Sequence, residues 1–161
     1  MSSRNITISW SEYKDISELN PEDRELVIAA RDISVKAYAP YSGFNVGAAV
    51  KLDDGTIITG TNVENAAFPS GICAERNALA TAISNYPSRI PVAIAIAARN
   101  SNGLTADPVS PCGNCRQVIA EEEFRNGKPI RLILTGSNKF QVIEKGGDLL
   151  PLQFNRDSLK A

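Results

Sequence analysis

The chain contains three cysteines and no histidine, and this pairing restricts its chemistry more than any other feature. Cys112 and Cys115 form the C-x-x-C of Pro111-Cys112-Gly113-Asn114-Cys115, and Cys73 lies upstream in Cys73-Ala74-Glu75. Without histidine there is no Ser-His or Cys-His nucleophile and no His-ligated zinc. Acid–base work near neutral pH must then come from a tuned Glu, Asp or Lys, or from metal-activated water. A lone C-x-x-C also fits a redox pair or two small buried residues. The third cysteine favours zinc, because three thiolates leave a fourth tetrahedral position open, as in catalytic sites. A closed, structural site would need a carboxylate as the fourth ligand. Glu75 is the acid whose spacing places it beside such a metal as a proton shuttle. The plainer alternative is a first-turn acid that complements a helix dipole.

Both cysteine segments open helices. Positions i and i+3 share a helix face, so Cys112 near an N-cap and Cys115 one turn on can converge. Cys73 and Glu75 are two residues apart and converge only if Cys73 stands at the very start of its helix. The preceding Pro69-Ser70-Gly71 break permits that. Three thiolates and Zn²⁺ sum to −1, a charge that helix N-termini stabilise while lowering thiol pKa values. Arg76 and Arg116 directly follow the two motifs and can donate to the sulfurs, or serve as ordinary surface cations.

The elements that must position these groups are legible in outline. Asn20-Pro21-Glu22-Asp23 reads as an N-cap, a first-turn proline and first-turn acids. Leu26, Ala30, Ile33 and Ala37 then recur at helical spacing, which predicts a helix over residues 21–38. Phe44, Val46, Ala48, Val50 and Leu52 follow with period two. Asp53-Asp54-Gly55 is a turn, and residues 56–63 complete a hairpin. Residues 73–83 read as helix and 91–98 as a strand covered on both faces. A polar loop spans 99–110, a helix 112–124, a buried strand 130–135, and an edge strand 140–143. This order predicts an α/β layered domain with a mixed sheet.

At 161 residues the chain suits one core, and 43% hydrophobic with 22% charged residues is a globular composition. The balance of 17 basic and 18 acidic residues, net −1, lacks the basic excess of a nucleic-acid binder. No apolar run approaches the roughly 20 residues that span a bilayer, and residues 1–19 lack a signal-peptide core. An odd cysteine count argues against a disulfide framework, so a cytoplasmic location is expected.

The chain resembles the cytidine deaminase family of small zinc-dependent free-nucleoside enzymes. The matching segments are 38–49 (YAPYSGFNVGAA), 62–66 (NVENA), 73–76 (CAER), 111–117 (PCGNCRQ), and Leu149-Leu150-Pro151 followed by Phe154. The resemblance runs from residue 21 to the C-terminus and leaves residues 1–20 as an extension to which no role is assigned. It implies a three-layer α/β/α fold with a central mixed five-stranded sheet. It also implies one zinc per subunit on Cys73, Cys112 and Cys115, with Arg76 tuning the thiolates. Zinc-activated water would add to C4 of cytosine, as in the related base deaminases. Glu75 would take its proton, protonate N3 and then the departing amino group. Cytidine or deoxycytidine would yield uridine or deoxyuridine and ammonia in pyrimidine salvage. Asn62 and Glu64 match the ribose-binding pair, on one face of the second hairpin strand, where a merely solvated face is the alternative. Phe44 matches the aromatic that packs on the base, and Ala66 one that offers its backbone to the ring. Phe154, and also Tyr41, match residues that reach a neighbouring subunit's pocket. The implied assembly is a homotetramer with intersubunit sites and no membrane or obligatory nucleic-acid partner. Competing substrates are a blasticidin-type antibiotic or a base within RNA; a catalytically idle zinc-stabilised binding module is the competing class.

Overall fold

In the computed structural model, which describes residues 2–160, ten helices and strands build three layers. These are β1 (Ser11–Tyr13), α1 (Pro21–Ser34), β2 (Asn45–Leu52), β3 (Ile57–Thr61), α2 (Ala74–Asn85), β4 (Pro91–Asn100), β5 (Gly103–Leu104), α3 (Gly113–Asn126), β6 (Arg131–Thr135) and β7 (Phe140–Ile143). The sheet runs β1-β7-β6-β4-β2-β3, with β5 folding back on β4. Only β4 and β6 pair in parallel, and the other pairings are antiparallel. A parallel neighbour needs a crossover, and α3 supplies it.

The expected mixed five-stranded sheet is present as β2, β3, β4, β6 and β7, and two short strands extend it to seven. One of them corrects the expectation for residues 140–143. β7 is not an edge, because β1 pairs Ser11 with Val142 and Tyr13 with Phe140. Part of the N-terminal extension is therefore built into the sheet, and Leu19 is buried with the α1-side core. The polar loop at 99–110 likewise begins as a β4–β5 hairpin.

Period two in β2 sorts its residues between two cores. Ala48, Val50 and Leu52 join Ile94, Ile96, Leu132 and Leu134 beneath α2 and α3. Ala49 joins Ala95, Ala97 and Ile133 beneath Leu26, Val27 and Ala30 of α1. Each fully buried Leu or Ile contributes on the order of 1.5–3 kcal/mol. Small residues set the spacing between layers. A Cβ at Gly60 of β3 would lie 2.6 Å from Ala78 N of α2, so only glycine lets that helix approach.

The start of α1 is as expected: Asn20 Oδ1 accepts from Asp23 N at 2.8 Å, and Pro21 occupies the first turn. Its end is not. The helix stops at Ser34 rather than running to residue 38, because the backbone at Tyr38 is used elsewhere. Tyr38 N donates to Asn62 O at 3.2 Å, and Glu64 N donates to Tyr38 O at 2.8 Å. Those bonds draw the loop after α1 onto residues 62–64.

Candidate active site

The helix breaks place all three thiols. After the Phe68–Ser70 turn, Val63 and Ile72 exchange backbone hydrogen bonds at 3.0 Å, which steers the chain into α2. Cys73 is the N-cap of α2 and Cys112 the N-cap of α3, both with extended backbone. Cys115 lies one turn into α3. Cys73 Sγ stands 3.8 Å from Cys112 Sγ, and Cys112 Sγ stands 3.5 Å from Cys115 Sγ. All three sulfurs lie within 4.8 Å of one another. Tetrahedral zinc with bonds of about 2.3 Å requires sulfurs about 3.8 Å apart, so the donor set fits that ion.

The thiols respond differently to this setting. Burial pushes Cys115 far up, with Glu75 and the other two thiols adding to the effect. Burial also raises Cys73, against a smaller opposing hydrogen bond with the Cys115 thiol and with Cys112 and Glu75 adding to the rise. Only Cys112 is lowered: burial opposes it, but the Cys115 and Asn114 backbone N–H groups and the neighbouring sulfurs outweigh burial. The expectation that helix N-termini lower the thiol pKa values therefore holds for Cys112 and is corrected for the other two. A cation is what makes all three thiolates.

Glu75, in the first turn of α2, is 5% exposed. Burial raises its pKa, against the smaller opposing effects of its own backbone N–H and the Cys115 thiol. A carboxyl raised above the ordinary range exchanges protons more readily near neutral pH. Glu75, Cys73 and Cys112 line one cavity of about 590 Å³, a volume that suits a nucleoside-sized ligand.

Residues 21–127 match the family model for the cytidine and deoxycytidylate deaminase zinc-binding region, a span that holds the three cysteines and Glu75. The chain belongs to the cytidine deaminase family. A cytidine deaminase of Sporosarcina psychrophila is 42% identical over 84% of this chain and 93% of its own length. One from Halalkalibacterium halodurans is 48% identical over 62% of this chain and 71% of its own. The crystal structure of cytidine deaminase from Burkholderia pseudomallei superposes with a TM-score of 0.69 at 41% identity, covering 81% of this chain and 97% of that one. The chain thus carries the family's zinc-binding region, and its thiol trio provides one zinc site.

The cavity of this family member also gathers Phe44, Asn62 and Glu64. Glu64 Oε2 accepts from Tyr41 N at 2.9 Å and Ser42 N at 3.3 Å, while Oε1 accepts from the Ser42 hydroxyl. These bonds, the Ser42 side chain first and the Tyr41 backbone next, hold its pKa below the usual carboxylate range. Asn62 Nδ2 donates to Phe44 O at 2.9 Å, and Asn62 Oδ1 accepts from Val46 N at 2.7 Å. Half of its amide capacity therefore fixes the start of β2, and one donor and one acceptor site remain.

Other expected residues lie elsewhere. Ala66 and Phe154 do not line the cavity of their own chain, and Phe154 is 59% exposed. The Arg76 side chain makes no hydrogen bond or ion pair with the other described residues, although its backbone is part of α2. Arg116 donates not to sulfur but to Pro111 O at 2.9 Å and Leu149 O at 3.2 Å. Conversely, Val109, Ser110, Ile72 and Ile96 line the cavity without having been singled out in the sequence. Val109 and Ser110 directly precede Pro111-Cys112, a proximity that could have marked them. Ile96 is an ordinary core residue by pattern and carries no such signal.

Proposed function

We propose that this chain hydrolyses the 4-amino group of free cytidine and deoxycytidine, giving uridine or deoxyuridine and ammonia, as a pyrimidine salvage enzyme. The observation that carries the reading is one cavity walled by both a thiol cluster of zinc dimensions and a buried Glu75 whose pKa burial raises. Zinc in such a site supplies Lewis acidity that makes water a nucleophile near neutral pH. The residues of the chain do the rest. Glu75 takes one proton from the attacking water and passes it to N3 as C4 becomes tetrahedral. It then takes the remaining proton from the new C4 hydroxyl and delivers it to the departing amino group, so that ammonia leaves as the C4 carbonyl forms. Its burial excludes competing water from these transfers. Glu64, held ionised by the Tyr41–Ser42 loop, accepts from ribose hydroxyls, and Asn62 adds its remaining donor and acceptor. Phe44 covers a face of the base, with the Ala66 backbone offered to the ring edge. Arg76 sits beside Cys73 and Glu75 in sequence and compensates the anionic centre.

The same reading makes the enzyme a homotetramer in which Phe154 completes the cavity of a neighbouring subunit. Its support is the outward apolar surface: Phe68 is 75% exposed, and Tyr41 packs edge-on against it at a centroid distance of 5.7 Å. Leu152 and Phe154 are exposed on the C-terminal segment. Monomers rarely leave so many large apolar groups beside a binding cavity. No helix among the described residues is long and apolar enough to cross a membrane. A free-nucleoside substrate and three reduced cysteines suit the cytoplasm.

The test follows the absorbance change from cytidine to uridine with zinc-loaded protein, using Glu75→Ala as control. Turnover by the wild type alone supports the reading. No turnover of cytidine or deoxycytidine, or turnover of blasticidin S alone, overturns it.

A further inference from the structure

After the 3-10 turn at Gly146–Leu149, the chain turns back to α3 and is tied to it through its carbonyls, while Leu152 and Phe154 are exposed. Arg116 Nη1 donates to Leu149 O at 3.2 Å, and Gln117 Nε2 donates to Phe154 O at 2.8 Å. Farther along the helix, the Arg156 guanidinium lies 5.6 Å from the centroid of the Phe124 ring. Between the two hydrogen bonds, Leu152 is 95% exposed and has φ of 56°. A leucine seldom adopts that left-handed region unless its surroundings hold it there. Burial is not what holds it at such exposure, and the residues on either side, Leu149 and Phe154, are both bonded to α3.

Arg116 also joins this segment to the metal centre. Its Nε donates to Pro111 O at 2.9 Å, the carbonyl directly before Cys112, while Nη1 reaches Leu149. One planar guanidinium thus spans the loop that presents Cys112 and the root of the segment that presents Phe154. Gln117, the next residue, closes the far end.

We propose that Arg116 and Gln117 are positioning residues that clamp residues 149–154 onto the first turn of α3, so that the Phe154 side chain is presented at a fixed place relative to Cys112 and Cys115. The effect on turnover rests on the reading above, in which Phe154 enters a neighbouring subunit's cavity; the clamp itself does not.

The experiment compares holoenzymes of wild type, Gln117→Ala, Gln117→Glu, Arg116→Lys and Phe154→Ala. Three readouts are amide hydrogen exchange over residues 150–156, zinc release to a chelator, and KM against kcat for cytidine. Losing the Gln117 donor should speed exchange in that segment by about three- to tenfold, the range for one net hydrogen bond. KM should rise, with kcat and zinc content unchanged. Gln117→Glu keeps the shape without the donor and should match Gln117→Ala. Arg116→Lys keeps the charge but not the fork that spans two carbonyls, so both exchange and zinc release should accelerate. Wild-type exchange over 150–156 in Gln117→Ala and Arg116→Lys overturns the clamp. Faster exchange with unchanged KM upholds the clamp and overturns the cross-subunit reading of Phe154. A raised KM in Phe154→Ala with wild-type exchange upholds that reading on its own.

Discussion

Among single residues, Glu75 and Glu64 are set apart by environment. Burial raises Glu75, and a set of loop donors lowers Glu64, which suits the proposed proton exchange at the first and the proposed hydrogen-bond acceptance at the second. Glu75→Gln should lower kcat by roughly 10²–10⁴-fold, the usual contribution of a positioned acid–base group. Metal analysis of the same variant should still find one zinc per chain, and loss of the metal would mean the residue is a ligand. Glu64→Ala should raise KM by about 10-fold or more, as for a lost hydrogen bond to a charged group, again without zinc loss. Unchanged kinetics would leave Glu64, which lies beyond the end of β3, as a solvated residue that only braces the Tyr41–Ser42 loop. The thiols add a third expectation. Because burial keeps Cys73 and Cys115 protonated in the metal-free protein, zinc uptake in weak buffer should release roughly two to three protons. No release on binding would contradict the proposed ligand set.

Elements explain which parts of the site were legible in sequence. The cysteine spacing and the Pro69-Ser70-Gly71 break were enough to place Cys73 and Cys112 at helix starts, because local geometry decides an N-cap. The sequence extends α1 to residue 38 because Ala37 keeps helical spacing, whereas the Tyr38 backbone pairs with Asn62 and Glu64, far along the chain. Strand β7 looked like an edge because three residues, Ser11–Tyr13, carry too little pattern to announce a partner strand. Arg116 sits beside a ligand in sequence yet bonds to Leu149, a choice set by the return path of the C-terminus. Long-range contacts to the backbone account for each of these differences. The Gly60 contact predicts its own consequence. Gly60→Val forces β3 and α2 apart and should cost about 1–3 kcal/mol in chemical denaturation, by overpacking. Zinc should also be held less tightly, since α2 carries Cys73. Wild-type stability would show that the layers can separate freely.

At the scale of the whole molecule, the α/β/α arrangement brings the N-termini of two helices to one cavity whose apolar rim continues onto exposed surface. The layered fold followed from element order, and the five central strands followed from the family resemblance. The assembly has no such local signature, because composition does not distinguish a buried interface from a solvated face. Light scattering of the zinc-loaded protein should give about four chain masses, and a monomer with full activity would contradict the shared-site reading. Everything proposed for these residues converges on one reaction, so the most direct measurement is the loss of cytidine absorbance with purified, zinc-loaded wild type and Glu75→Ala. The account predicts conversion to uridine by the wild type and a rate at least about 100-fold lower in the variant. Equal rates in the two proteins, or no conversion by either, would contradict it.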